Sequence, residues 1–178
     1  MSGTLYWITG LSGSGKTTIS KLVYKKLKNE KKNIVFLDGD NIRKALKLTR
    51  SSYDLQSRKK LAYTYAELAK LLIEQDIDVI FATIAMFHEI RDWNRSKIKN
   101  YIEVYIKVPL DILVERDKKN LYSKFLKKKI KNVVGIDIKL EEPKKPDIII
   151  INDGSKSPTK LANILLEKIT TINKNPNV

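Results

Sequence analysis

The most informative eight residues of this chain are Gly10-Leu11-Ser12-Gly13-Ser14-Gly15-Lys16-Thr17. They follow the pattern G-x-x-x-x-G-K-T, in which a glycine-rich turn directs backbone N–H groups at an anion and the helix that begins there adds the positive end of its dipole. An apolar run precedes the loop at 5–9, and a helical pattern follows it at 16–29. This context is the one that the motif requires, so the sequence predicts a phosphate-binding loop for a nucleoside triphosphate.

The polar residues of this loop have distinct expected roles. Backbone N–H groups of residues 12–17 surround the phosphates, Lys16 reaches the β- and γ-phosphates, and Thr17 offers its hydroxyl to a magnesium ion. ATP and Mg²⁺ are therefore the expected cofactors. The nucleotide-binding residues predicted here are Gly13, Ser14, Gly15, Lys16, Thr17 and Thr18.

Short apolar runs alternate with helical patterns along the rest of the chain. Five runs rich in Ile and Val predict strands buried on both faces, at 5–9, 33–37, 79–83, 102–108 and 147–152. Helices are predicted at 16–29, 40–48, 57–74, 89–99, 110–116 and 158–172. This alternation favours a three-layer α/β fold of the P-loop NTPase type, with a five-stranded parallel sheet flanked by helices and with ligands beyond the carboxyl ends of the strands.

Composition limits the classes of function. The 178 residues suit one domain spanning 1–178, and the absence of cysteine excludes disulfides, thiolate metal sites and a cysteine nucleophile. No apolar run is long enough to span a bilayer, and we expect no signal peptide, no membrane partner and a cytoplasmic location. The net charge of +15 comes from lysines that are spread along the chain. We interpret it as a solvated surface that attracts small polyanions rather than as a nucleic-acid interface.

A second group of polar residues, Asp38-Gly39-Asp40-Asn41-Ile42-Arg43, follows the second predicted strand. Phosphoryl transfer to a hydroxyl needs Mg²⁺ near the phosphates and an acceptor oxygen relieved of its proton. Asp38 and Asp40 are the predicted residues for both tasks, Asp40 at the acceptor, with Lys16 as the third catalytic residue and Thr17 as the third metal ligand. The alternative is an Asp-Gly turn in which Asp40 caps the next helix.

The stretch 117–146 is basic and has little helical or strand periodicity. Long charged excursions within small domains are usually functional. We expect this one to be a lid that closes over bound phosphates and excludes water, with a disordered loop as the alternative.

Four motifs recur together in this chain: G-L-S-G-S-G-K-T, D-G-D-N-I-R, the run from Arg116 to Tyr122, and Gly135-Ile136-Asp137 with Glu141 and Pro143. In this order and spacing they closely resemble the adenylylsulfate (APS) kinase family, from residue 3 to about residue 153. In that family ATP phosphorylates the 3′-hydroxyl of a nucleotide whose 5′-phosphate carries a sulfate.

The resemblance implies roles that the motifs alone do not. Asp40 would lie at the acceptor hydroxyl and assist with magnesium, and Arg43 would bind the acceptor's phosphate. Arg116 and the segment up to Tyr122 would form the lid and line the adenine pocket, with Lys118 and Leu121 at the substrate. Relatives in the family also suggest a homodimer.

This chain departs from the family's pattern on the acceptor side. Tyr53 stands for a Phe and Arg58 is kept, but Leu61 stands for an Asn and Tyr63-Thr64 for paired arginines. Val133 stands for the family's second aromatic, so one aromatic face for adenine is lost, which a smaller base tolerates. Leu61, Tyr63 and Thr64 remove donors suited to a sulfo-phosphate anion. The family's I-S-P-Y-R segment becomes 84–88, in which Ala85 cannot carry a phosphoryl group. The predicted acceptor contacts are Asp40, Arg43, Tyr53, Arg58, Ala85, Met86, Phe87 and Val133.

The leading hypothesis is an ATP-dependent kinase that phosphorylates the ribose 3′-hydroxyl of a small nucleotide with a substituted 5′-diphosphate-like group. We favour a cytidine nucleotide such as cytidine diphosphoramidate, the acceptor of one relative and a precursor of phosphoramidate on bacterial capsular polysaccharide. The alternative acceptor is APS itself, in sulfate assimilation. A degenerate nucleotide-binding protein without transferase activity is the alternative from another class.

Three further residues have two interpretations each. His88 is expected either to face the acceptor or to begin a helix as a polar end residue. Arg91 and Arg95, one helical turn apart, are expected either to bind an anion or to lie on an exposed surface.

Overall fold

The computed structural model describes residues 2–48, 54–116 and 140–174, together with Lys124 and Ile138. Every predicted strand and helix is present in these residues, with bounds that differ by a few residues at most. In chain order the elements are β1 Leu5–Thr9, α1 Lys16–Glu30, β2 Ile34–Asp38, α2 Gly39–Ala45, α3 Leu55–Ile73, β3 Asp78–Ala82, α4 His88–Lys97, β4 Tyr101–Lys107, α5 Leu110–Arg116, β5 Ile148–Ile151 and α6 Pro158–Lys174.

The strands form one parallel sheet in the order β2-β3-β1-β4-β5. Ala82 of β3 pairs with Ile8 of β1 on one side and with Asp38 of β2 on the other. The three strands therefore end in one row, and the segments that follow them meet at the carboxyl edge of the sheet. This register brings the phosphate loop, the Asp38–Asp40 turn and the segment 83–87 together.

Helices cover both faces of the sheet. Helices α1 and α6 pack on one face, where Ile19 and Leu165 contact the core around Tyr6 and Ile8. Helices α3 and α4 pack on the other, where Trp7 and Phe81 lie with ring centroids 5.1 Å apart. No helix of the described residues is long and apolar enough to cross a membrane.

The expectation that every strand is buried on both faces holds for the inner strands, is met only in part by the edge strand β2, whose three middle residues are half-buried, and is wrong for β5. All four apolar side chains from Leu5 to Ile8 are inaccessible to solvent, as befits the central strand. Ile149 and Ile151 are exposed because β5 lies at the edge of the sheet, where one face of the strand remains in contact with water.

Candidate active site

A cavity of about 590 Å³ opens at the carboxyl edge of the sheet. It is bounded by the β1–α1 loop, the start of α2, the first turns of α3 and the segment after β3. The predicted site residues that line it are Gly13, Gly15, Lys16, Thr17, Thr18, Asp38, Asp40, Arg43, Arg58, Ala85, Met86 and Phe87. The structure thus brings most of the predicted donor and acceptor residues into one space.

The phosphate loop owes its shape to glycines with positive φ. Gly13 has φ +81° and Gly15 has φ +91°, a region that side-chain-bearing residues rarely adopt. Gly15 is the N-cap of α1, and no side chain makes a capping hydrogen bond to this helix. Gly15 thus leaves this helix end without a side-chain cap of its own, and the N-terminal N–H groups and the positive end of the helix dipole favour a phosphate there.

Lys16 and Ser14 make bonds within the loop itself. The Lys16 ammonium donates to the Leu11 carbonyl oxygen at 2.7 Å, so the side chain folds back across the loop. The Ser14 backbone N–H also donates to the Leu11 carbonyl, at 3.1 Å, and the Ser14 hydroxyl is buried away from the cavity. Of the N–H groups predicted to bind phosphate, that of Ser14 is thus already engaged in a turn.

Asp38 connects the two halves of the site. One carboxylate oxygen accepts the Thr17 hydroxyl at 2.6 Å, and the other accepts the backbone N–H groups of Asp40 and Asn41 at 3.0 and 3.2 Å. Asp38 is therefore the N-cap of α2, and the alternative in which Asp40 caps this helix is wrong. Asp40 lies instead in the first turn of α2 with its side chain exposed.

The oxygens beside the phosphate loop suit a magnesium ion that also binds phosphate. Thr17 and Asp38 place a hydroxyl and a carboxylate next to the uncapped end of α1. Within the part of the chain that the structure describes, no three carboxylate or imidazole groups converge on one point. Mg²⁺ typically takes one or two carboxylates and completes its shell with water and substrate phosphates, so the donor set fits the ion once a nucleotide is bound.

The three changed positions on α3 offer the cavity no hydrogen-bond donor. Leu61 lines the cavity and is almost completely buried. Tyr63 turns away and packs edge-on against Trp93, with ring centroids 6.3 Å apart. The Thr64 hydroxyl donates to the Lys60 carbonyl of its own helix at 3.1 Å. The acceptor wall formed by this helix is therefore apolar, apart from Arg58 and the hydroxyl of Tyr65.

Sequence reasoning missed several residues of this site. Lys21, one helical turn after Thr17, and Lys44 of α2 both line the cavity, and the spacing of Lys21 was a usable signal. Asn152 is buried and donates from Nδ2 to the Ser14 carbonyl at 2.9 Å, which fixes the phosphate loop to the end of β5. A polar residue directly after an apolar strand is the same signal that pointed to Asp38.

Arg116 reaches the phosphate loop only through Asn152. Its Nη2 atom lies 3.3 Å from Asn152 Oδ1, and Arg116 itself is not part of the cavity wall. Further predicted contacts, Tyr53, Lys118, Leu121 and Val133, lie outside the described residues, and so does most of the predicted lid.

Arg91 and Arg95 bind carboxylates of the protein rather than a ligand. Arg91 is 3% exposed, its Nε lies 3.2 Å from Glu103 of β4, and it also contacts the His88 ring at 2.7 Å. Arg95 pairs with Glu103 and with Asp147. Neither arginine lines the cavity, and the expectation of a surface position is wrong for Arg91.

His88 begins α4, as one of its two interpretations predicted. Its backbone N–H donates to the Glu141 carboxylate at 2.6 Å. Burial lowers the pKa of the His88 imidazole, and the adjacent Arg91 guanidinium lowers that pKa further. The ring is therefore neutral near pH 7 and lies against Arg91.

Comparison with known proteins identifies the family to which this chain belongs. A family model for adenylylsulphate kinase matches residues 2–151. The chain belongs to the adenylylsulphate kinase family. It is 43% identical over 165 residues to the cytidine diphosphoramidate kinase of Campylobacter jejuni, covering 93% of this chain and 95% of that protein. It is 40% identical over 149 residues to the adenylyl-sulfate kinase of Thermodesulfovibrio yellowstonii, covering 83% and 74%.

A solved structure of the family has the same fold. The Mycobacterium tuberculosis APS kinase in complex with AMPPNP and APS matches with a TM-score of 0.83 and 30% identity, over 95% of this chain and 98% of that one. The predicted P-loop kinase fold and the family resemblance are confirmed. This member of the family is thus an ATP-dependent phosphotransferase, and the hypothesis of a binding protein without transferase activity is set aside.

Replacing the two arginines of α4 tests the different burial of their ion pairs. We expect Arg91→Met to lower the free energy of unfolding by about 3 kcal/mol, because it leaves the Glu103 carboxylate buried without its enclosed partner. Arg95→Met removes a half-exposed guanidinium from the same carboxylate and should cost less than about 1 kcal/mol. Urea denaturation followed by circular dichroism measures both, and equal losses would contradict this description.

Replacing Asn152 tests its bond to the phosphate loop. Asn152→Asp keeps the shape but turns the donor to the Ser14 carbonyl into a second acceptor and adds a negative charge beside the triphosphate site. We expect the affinity for a non-hydrolysable ATP analogue to fall at least about tenfold in titration calorimetry. The matched control is Asn163→Asp on α6, where the amide is exposed and its oxygen accepts a hydrogen bond from Lys26. Unchanged affinity in Asn152→Asp would show that the bond has no part in nucleotide binding.

Proposed function

We propose that this protein is an ATP- and Mg²⁺-dependent kinase that phosphorylates the ribose 3′-hydroxyl of a small nucleotide, and that its acceptor is a cytidine nucleotide such as cytidine diphosphoramidate. The observation that carries the proposal is the composition of the single cavity that joins the two halves of the site. Its donor side has the uncapped end of α1 with Lys16 and Thr17, and its acceptor side has Asp40 beside an apolar wall of α3.

The donor half supports in-line transfer from ATP. The first N–H groups of α1 and the Lys16 ammonium would hold the β- and γ-phosphates, which requires Lys16 to exchange the Leu11 carbonyl for a phosphate oxygen. Thr17 and Asp38 would hold Mg²⁺, which when bound neutralises charge on the transferred group. The protein contributes mainly position and electrostatic stabilisation, since this transition state needs little covalent assistance.

Asp40 is the residue that we propose accepts the ribose proton. Its carboxylate is not committed to capping α2, because Asp38 performs that task. It lines the cavity next to the phosphate loop, and Arg43 lies on the same short helix where it can bind the acceptor's phosphate. A carboxylate in this place can take a proton as the substrate hydroxyl attacks.

The acceptor half supports a nucleotide other than APS. Leu61 and Ala62 give the wall of α3 an apolar surface that suits a small base, while Arg58, Arg43 and Lys44 add positive charge to the cavity wall, which suits a diphosphate-like group. The 43% identity to a cytidine diphosphoramidate kinase over nearly the whole chain supports the same acceptor. A role in supplying phosphoramidate to capsular polysaccharide follows from this acceptor. The single domain, the homodimer, the cytoplasmic location and the lid over 117–146 stay predictions from the sequence.

Acceptor specificity is the direct test. Coupled ATP turnover should be rapid with cytidine diphosphoramidate, weaker with unsubstituted cytidine 5′-diphosphate, and at least about a hundredfold lower in kcat/KM with APS, a difference of about 2.7 kcal/mol in transition-state binding. Phosphorus NMR of the product should report a new 3′-phosphomonoester. Efficient turnover of APS with the cytidine compounds inert would overturn the proposed acceptor and leave the kinase intact.

The proton acceptor is tested separately. Asp40→Asn should lower kcat by about 10²–10⁴-fold, since the amide cannot accept the proton, while the dissociation constant for ATP stays within about twofold. Asp111→Asn is the matched control because Asp111 is also an exposed carboxylate in the first turn of a short helix, α5. If Asp40→Asn keeps its turnover, Asp40 has no role in the proton transfer.

A further inference from the structure

Tyr65 of α3 combines a buried ring with a hydroxyl directed at α2. The side chain is 4% exposed, and its ring packs against Phe81 with centroids 5.1 Å apart. The hydroxyl donates to the Gly39 carbonyl oxygen at 2.9 Å. Phe would fill the same apolar space, so packing alone does not account for a tyrosine here.

Gly39 lies in a narrow slot between α3 and β3. A β-carbon at this position would come within 3.0 Å of the Thr83 hydroxyl oxygen and 3.3 Å of the Tyr65 ring. The Asp38 carboxylate accepts hydrogen bonds from the backbone N–H groups of Asp40 and Asn41, the two residues that follow Gly39. The backbone that leads into Asp40 is thus fixed by a cap, by close packing and by the Tyr65 hydroxyl.

This attachment matters because α2 is short. A helix of seven residues has little stability of its own, so contacts from outside determine where it lies. A base must come within hydrogen-bond distance of the hydroxyl that it deprotonates, and a displacement of about 1 Å can cost about a hundredfold in rate. The Gly39 carbonyl that Tyr65 contacts belongs to the peptide bond between Gly39 and Asp40, so the contact holds the backbone directly before Asp40.

We propose that Tyr65 is a positioning residue for the phosphoryl transfer, which sets the place of Asp40 by holding the Gly39 carbonyl. The inference rests on the proposed function, because it takes Asp40 as the group that accepts the ribose proton. Tyr65 also lines the cavity, so the same side chain forms part of the acceptor wall and orients the residue that faces it.

Tyr65→Phe removes only the hydroxyl and tests the inference. We expect kcat to fall about tenfold, while the dissociation constant for ATP and the thermal midpoint with bound ATP analogue change little. Tyr63→Phe is the matched control, since Tyr63 lies on the same helix, packs on Trp93 and does not line the cavity. It should keep the kcat of the parent.

A double-mutant cycle with Asp40→Asn separates positioning from a general structural role. If Tyr65 acts through Asp40, Tyr65→Phe should change the single-turnover rate less than about twofold once Asp40 is an amide. A tenfold loss in both backgrounds, or no loss in either, overturns the inference. A fall in kcat that comes with an equal loss of ATP affinity overturns it as well.

The outcomes also distinguish this inference from the function on which it rests. If Asp40→Asn alone has full activity, the proposed proton acceptor fails and the positioning role with it. If Asp40→Asn collapses turnover while Tyr65→Phe matches the parent, the proposed function stands and only the role of Tyr65 is refuted.

Discussion

The carboxylate of Asp38 is the contact on which the site depends. It is almost completely buried, at 7% exposure, and a buried carboxylate is costly unless hydrogen bonds compensate for the lost water. Three donors do so here: the Thr17 hydroxyl on one oxygen and two N–H groups of α2 on the other. The donors belong to two different segments, the start of α1 and the start of α2. The hydrogen bonds that compensate the buried Asp38 carboxylate therefore fix these two segments relative to each other. The sheet register that ends Ile8, Ala82 and Asp38 in one row makes this contact possible.

The two aspartates of the β2–α2 turn consequently have different chemistry. Asp38 is enclosed and accepts three hydrogen bonds, which suits a residue that holds Thr17 and the start of α2 in place. Asp40 is exposed in the cavity, where a substrate hydroxyl can reach it. Gly39 separates them at a close approach, where a β-carbon would press against Thr83 and the Tyr65 ring. The D-G-D pattern therefore encodes a cap, a close approach and an exposed carboxylate in three consecutive residues.

The sequence was sufficient for features that depend on local pattern. Apolar runs located the strands, and the glycine and lysine spacing located the phosphate loop. Contacts between distant segments could not be predicted from the sequence. Either aspartate of D-G-D could cap α2 by local rules, and the sheet register selects Asp38. Helical spacing placed Arg91 and Arg95 on one face, and both arginines pair with Glu103, although Arg91 is buried and Arg95 is half-exposed. The charge of Glu103 within an apolar strand was a usable sign of such a partner. Asn152 and Ser14 are 138 residues apart, so their bond had no local signal.

The two halves of the site differ in which parts of the chain form them, and this difference explains how members of one family can act on different acceptors. The donor half is built mainly from backbone, from glycine conformations and from the end of α1, and few substitutions there preserve the loop. The acceptor half is built from side chains of α3 and of the segment after β3. Leu61 and Ala62 belong both to the cavity wall and to the hydrophobic core under α3. An apolar residue at these two positions therefore stabilises the core, and it also removes polar contacts from the cavity wall. A change of acceptor can therefore be compatible with the fold's stability, whereas a change of donor would require a new loop.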